Sequence, residues 1–81
     1  MVSVFVDANV IIDFLDQNRQ RHRHAVNALA ALSDKGYTPV VSEDLLTTIY
    51  YVVRDKAKIL NFIHYILKNW VVVPFWLSIL D

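Results

Sequence analysis

The chain has 81 residues, 56% of them hydrophobic, and a formal net charge of zero, which bounds it to one small domain or part of one. An aromatic share of 12% argues against intrinsic disorder. With no cysteine, disulfide frameworks and thiolate metal sites are excluded. The single glycine, Gly36, excludes the Gly-rich loops that cradle nucleotide phosphates.

The opening Met1-Val2-Ser3-Val4-Phe5-Val6-Asp7 has no basic n-region and no small-residue cleavage site, so it does not read as a signal peptide. The longest nearly apolar run, Trp70 to Leu80, is 11 residues, against about 20 for a membrane span. The expected compartment is the cytoplasm, with no membrane contact.

Val2 to Val6 is rich in β-branched residues and apolar on both faces, as in a strand of a parallel sheet. Val10 to Asp16 predicts a helical turn or two. Arg21 to Asp34 predicts a longer helix, with Val26, Leu29, Ala30 and Leu32 near one stripe and Gly36 placed to end it. Thr38 to Ser42 predicts a second strand. Ser42 is then the N-cap of a helix whose first turn holds Glu43 and Asp44, and which runs through Leu45, Leu46, Ile49, Tyr50 and Val53. Asp55 caps a further helix, Lys56 to Lys68, whose apolar face is Ile59, Phe62, Ile63, Ile66 and Leu67. Trp70 to Pro74 predicts a third strand. The order β–α–α–β–α–α–β implies right-handed parallel crossovers and an α/β sheet. Three strands make a small sheet, and the apolar tail Phe75 to Asp81 has no element to continue into. The chain therefore reads as the N-terminal portion of a larger fold.

Asp7 is the foremost candidate for chemistry. It ends the first strand, and ligands of open parallel sheets bind beyond the carboxyl ends of the strands. The alternative is that it caps the helix that follows. Ser42, Glu43 and Asp44 end the second strand, so they share that crevice. Carboxylates converging there form a hard oxygen site for Mg²⁺ or Mn²⁺. Capping and dipole complementation account for the same residues. Asp13 and Asp16 read as solvated helix residues. Arg19, Arg21, Arg23, His22 and His24 form a basic cluster that could touch phosphate or could line a solvated helix face. His22 and His24 do not share a helix face, and His64 reads as structural. Tyr50, Tyr51, Trp70 and Trp76 read as core or interface residues. No nucleophile elbow or Ser/His/Asp spacing supports covalent catalysis.

Val4-Phe5-Val6-Asp7-Ala8-Asn9-Val10-Ile11-Ile12-Asp13 resembles the opening signature of PIN domains. Pro39-Val40-Val41-Ser42-Glu43-Asp44-Leu45-Leu46-Thr47-Thr48-Ile49-Tyr50-Tyr51 resembles their second block, in the style of the VapC-like toxin branch. Together the resemblance spans residues 2 to 74. It implies a three-layer α/β/α fold with a short parallel sheet, of which residues 1–81 form a single, C-terminally truncated domain. The activity implied is that of a Mg²⁺- or Mn²⁺-dependent ribonuclease, commonly a toxin held silent by an antitoxin. Carried onto this chain, Asp7 is catalytic, Asn9 and Ser42 bind substrate, and Asp7, Glu43 and Asp44 hold the metal. RNA is the substrate. The chain departs from the pattern at Thr48, where the family usually has glutamate; Asp44, one turn earlier on the same face, is the substitute. The family's later acidic residues have no counterpart before Asp81. A competing expectation is a non-catalytic PIN remnant acting in oligomerisation or protein interaction. A third is an unrelated small α/β partner protein. An unpaired first strand and the apolar tail together predict a homo-oligomer.

Overall fold

A computed structural model describes residues 2–74. The elements are β1 (Ser3–Phe5), α1 (Ala8–Leu15), α2 (His22–Asp34), β2 (Thr38–Ser42), α3 (Glu43–Val52), α4 (Lys56–Asn69) and β3 (Val71–Val73). All seven expected elements are present in the expected order. The strand β1 is shorter than Val2 to Val6, yet its ladder reaches both ends. Thr38 N–H donates to the Val2 carbonyl at 2.8 Å, and Val6 N–H donates to the Val40 carbonyl at 2.9 Å. The helix α1 starts at Ala8, two residues before the expected Val10, because the chain turns immediately after Asp7. The tail from Phe75 to Asp81, Trp76 included, lies outside the described residues.

The strands are parallel in the order β1-β2-β3. Phe5 lies opposite Val40, and Val40 opposite Val71. Right-handed crossovers stepping one way across a sheet place their helices on one face. The packing of α1 against both α2 and α3 agrees with this. Val6, Val41 and Val72 face those helices within the core cluster. The row Phe5–Val40–Val71 faces the other way, and Phe5 stays half-exposed. A helical layer and a sheet layer of the expected α/β architecture are thus present among the described residues.

Ile11, Val41, Ile49, Ile59 and Ile66 are the largest fully buried side chains. They come from α1, β2, α3 and α4, so one core joins the sheet to three helices. The helix α2 packs more loosely, with Ala25 buried and Leu29 and Leu32 against the core. Its inward stripe is therefore Ala25, Leu29 and Leu32 at helical spacing, while Ala30 is exposed. Leu67, expected on the inner face of α4, is exposed, because Ile59 and Ile66 already define that face one residue away. His64 and Tyr51 are also exposed, which removes them from the core. Trp70 is half-buried and meets Phe62 edge-on at 5.8 Å.

The helix ends follow the sequence. Gly36 has φ 70°, the left-handed conformation that ends α2. Tyr37 N–H donates to the Leu32 carbonyl at 3.0 Å and Gly36 N–H to the Ser33 carbonyl at 3.1 Å, the two bonds of a Schellman motif. The Asp55 carboxylate accepts from Lys58 N–H at 3.1 Å and caps α4 as expected. Lys56 Nζ donates to the Tyr50 and Val53 carbonyls and lies 4.5 Å from the Tyr50 ring centroid. A cation there satisfies the carbonyls at the end of α3.

Candidate active site

Both candidate segments sit where strands hand over to helices. The chain leaves β1 at Asp7 to start α1, and leaves β2 at Ser42 to start α3. Phe5 pairs with Val40, and the ladder continues through the Val6 bond, so two residues further Asp7 stands level with Ser42. Adjacent parallel strands therefore deliver these two side chains to one sheet edge, where such folds bind ligands.

Asp7 holds the N-cap position of α1 with extended backbone, φ −74° and ψ 149°, but its side chain makes no capping hydrogen bond. The carboxylate is exposed, and the amide of Asn9 donates to Oδ2 at 3.4 Å, a long contact. Capping thus fails to account for this carboxylate. Ser42 behaves alike. It is the N-cap residue of α3, makes no side-chain cap, and is nevertheless buried at 8% exposure. Its expected capping role is corrected accordingly. Glu43 and Asp44 are exposed in the first turn of α3, where the helix dipole favours anions. The Thr48 hydroxyl donates to the Asp44 backbone carbonyl at 3.1 Å. Thr48 and Asp44 therefore share a face, and the Thr48 proton is committed to the helix backbone.

Among the described residues, no three His, Asp or Glu side chains gather into a group able to hold a metal ion. Asp7, Glu43 and Asp44 thus do not form a ready three-carboxylate cradle. The donors at the sheet edge are nonetheless all oxygen, and Mg²⁺ is commonly held by one or two carboxylates with its remaining places filled by water. The residues present fit a hard, largely hydrated cation.

The structure corrects the reading of Asp13 and its surroundings. Asp13 is buried, not solvated. Its carboxylate accepts from Arg19 Nε at 2.5 Å, and its backbone carbonyl lies 2.9 Å from His22 Nδ1. Arg19 and His22 are therefore ties between α1 and the segment leading into α2, and not free members of a solvated cluster. A surface pocket of about 440 Å³ lies alongside, lined by Asn9, Asp13, Arg19, Gln20 and Arg21. The sequence shows these residues as two separate segments, and the Arg19 and His22 bonds to Asp13 bring them together. The nearly all-apolar character of α1 was the signal available: a carboxylate inside it needs a partner.

The sequence profile of the PIN domain matches residues 3–72, and the chain belongs to the PIN-domain family. It is also similar to the ribonuclease VapC1 of Aquifex aeolicus (strain VF5), at 39% identity over 74 residues. That match covers 89% of this chain and 51% of the relative, so the chain spans about half the length of the curated protein it matches. No solved structure matches the chain. Among the described residues, no helix is long and apolar enough to cross a membrane.

Proposed function

We propose that the chain acts in a PIN-type, metal-dependent ribonuclease, the toxin component of a toxin–antitoxin pair. The observation that carries this is Asp7: an exposed carboxylate at a strand end, level with Ser42, that declines the capping bond its position offers. The similarity to a protein named as a ribonuclease supports the same reading.

Asp7, with Asp44 or Glu43, holds Mg²⁺ or Mn²⁺ mostly through the ion's own waters. When bound, such an ion polarises a phosphoryl oxygen and makes a bound water more acidic. Asn9 donates to Asp7 and sets the orientation of its carboxylate. Ser42, beside Asp7, offers a hydroxyl to a substrate phosphate. The substrate is RNA, the partner an antitoxin protein and the compartment the cytoplasm; β1 pairs along one edge only among the described residues, and such an edge favours a homo-oligomer. A second reading, a PIN domain that binds without cleaving, is favoured by the lack of any three-acid group among the described residues.

The test is a Mn²⁺ titration of the chain followed by amide line broadening, with RNA cleavage measured in parallel. Broadening at Ala8 and Asn9 that disappears in Asp7→Asn is expected; broadening unchanged in that variant rejects the site. Mg²⁺-dependent cleavage of single-stranded RNA is expected, and metal binding without cleavage would favour the binding-only reading. Robust cleavage, lost in Asp7→Ala, would reject the binding-only reading.

A further inference from the structure

We propose that the pocket between α1 and the start of α2 is a subsite for an RNA phosphate next to the one at Asp7. The inference rests on the ribonuclease reading and extends it to residues outside the PIN motifs.

The pocket is lined by Asn9, Asp13, Arg19, Gln20 and Arg21. Arg19 donates Nε to buried Asp13, which fixes the guanidinium while leaving its terminal nitrogens to donate elsewhere. Arg21 is exposed and, among the described residues, has no side-chain hydrogen bond or ion pair. Two guanidinium groups against one carboxylate leave a single positive charge, which matches the single negative charge of a phosphodiester. Arginine forks suit phosphate oxygens, and the amides of Gln20 and Asn9 add neutral donors. An Asp13–Arg19 staple would need neither Arg21 nor an open pocket.

Position selects the occupant. Asn9 lines this pocket and also donates to Asp7, so one residue forms the wall between the two places. A strand whose scissile phosphate lies at Asp7 sets a neighbouring phosphate against the arginines. Contacts of this kind position the backbone and carry no base preference.

The test uses a fluorescein-labelled single-stranded uridine hexamer without metal, with binding followed by anisotropy over a range of salt. Arg21→Gln is expected to weaken binding about ten-fold, the loss of one charge-assisted contact. It should also lower the slope of log affinity against log salt by about 0.7. Arg21→Lys restores the slope but not the whole affinity, because the fork is lost. Arg23→Gln, exposed on α2 outside the pocket, is the control. An Arg21→Gln effect within about two-fold of that control overturns the subsite, as does a wild-type chain that does not bind the hexamer. Mn²⁺ broadening at Ala8 in the wild type reports the ribonuclease reading separately. Broadening without an Arg21 effect rejects the subsite alone. An Arg21 effect without broadening upholds the subsite and rejects the metal-dependent reading.

Discussion

Removing Arg19 should destabilise the fold more than removing its partner. The Asp13 side chain is 11% exposed and that of Arg19 is 43% exposed. In Arg19→Ala the Asp13 carboxylate remains in a mostly dry place near the C-terminal end of α1, where the helix dipole also opposes a negative charge. Breaking a fully buried pair costs about 3–5 kcal/mol, and breaking an exposed one about 0–1 kcal/mol. This pair is buried at one end only, which places Arg19→Ala at about 2 kcal/mol. A chain of this size has about 4–12 kcal/mol in all. The change should lower the melting temperature by about 8–16 °C. Asp13→Ala should cost less, since the freed guanidinium turns into water. Asp13→Asn in the Arg19→Ala background should recover much of the loss. Urea denaturation at pH 7, followed by far-UV circular dichroism over the four chains of the Asp13/Arg19 cycle, measures the coupling. If Arg19→Ala costs no more than Arg23→Ala, to within about 0.5 kcal/mol, the bond carries no structural weight and the argument fails.

Gly36→Ala should cost about 1 kcal/mol in the same assay: a Cβ there meets nothing within 4 Å, so the whole penalty is the positive φ. Ile66→Ala empties a fully buried position shared by α4 and the sheet, and should cost about 2–5 kcal/mol, enough to leave the chain partly unfolded at 37 °C by circular dichroism. Phe5→Lys places a charge on the half-exposed Phe5 of β1, an outer strand among the described residues, and should shift sedimentation toward monomer; an unchanged distribution would remove β1 from any interface.

The elements were legible because their signals are local. Alternating breakers and apolar runs separate the strands, Gly36 and Asp55 mark helix ends, and the crossover lengths dictate parallel pairing. The convergence of Asp7 and Ser42 followed from parallel order alone. The environment of Asp13 did not, because its partner Arg19 lies six residues on, across a loop, at no helical spacing. On α2 the expected Leu29 and Leu32 do face the core, while Ala25 is buried and Ala30 exposed, because a small residue gives little hydrophobic signal of which way the helix is turned. Ser42 was expected to cap α3, and a sequence pattern cannot show that its hydroxyl would stay unused. Whether Asp44 reaches toward Asp7 depends on the angle at which α3 leaves the sheet, which no residue pattern encodes.

The strand order has a further consequence. The central strand β2 is flanked on both sides, whereas β1 is three residues long and hydrogen-bonded along one edge among the described residues. Local opening starts where few bonds hold, so the β1–β2 seam, like the seam of the equally short β3 with β2, should exchange its amides readily. Asp7 and Ser42 sit across that seam. A ligand that needs both side chains level binds only the closed sheet and stabilises it in proportion to its concentration. Occupancy and strand order are therefore one equilibrium, and slowed amide exchange at Val4 and Val6 becomes a gauge of binding at the sheet edge.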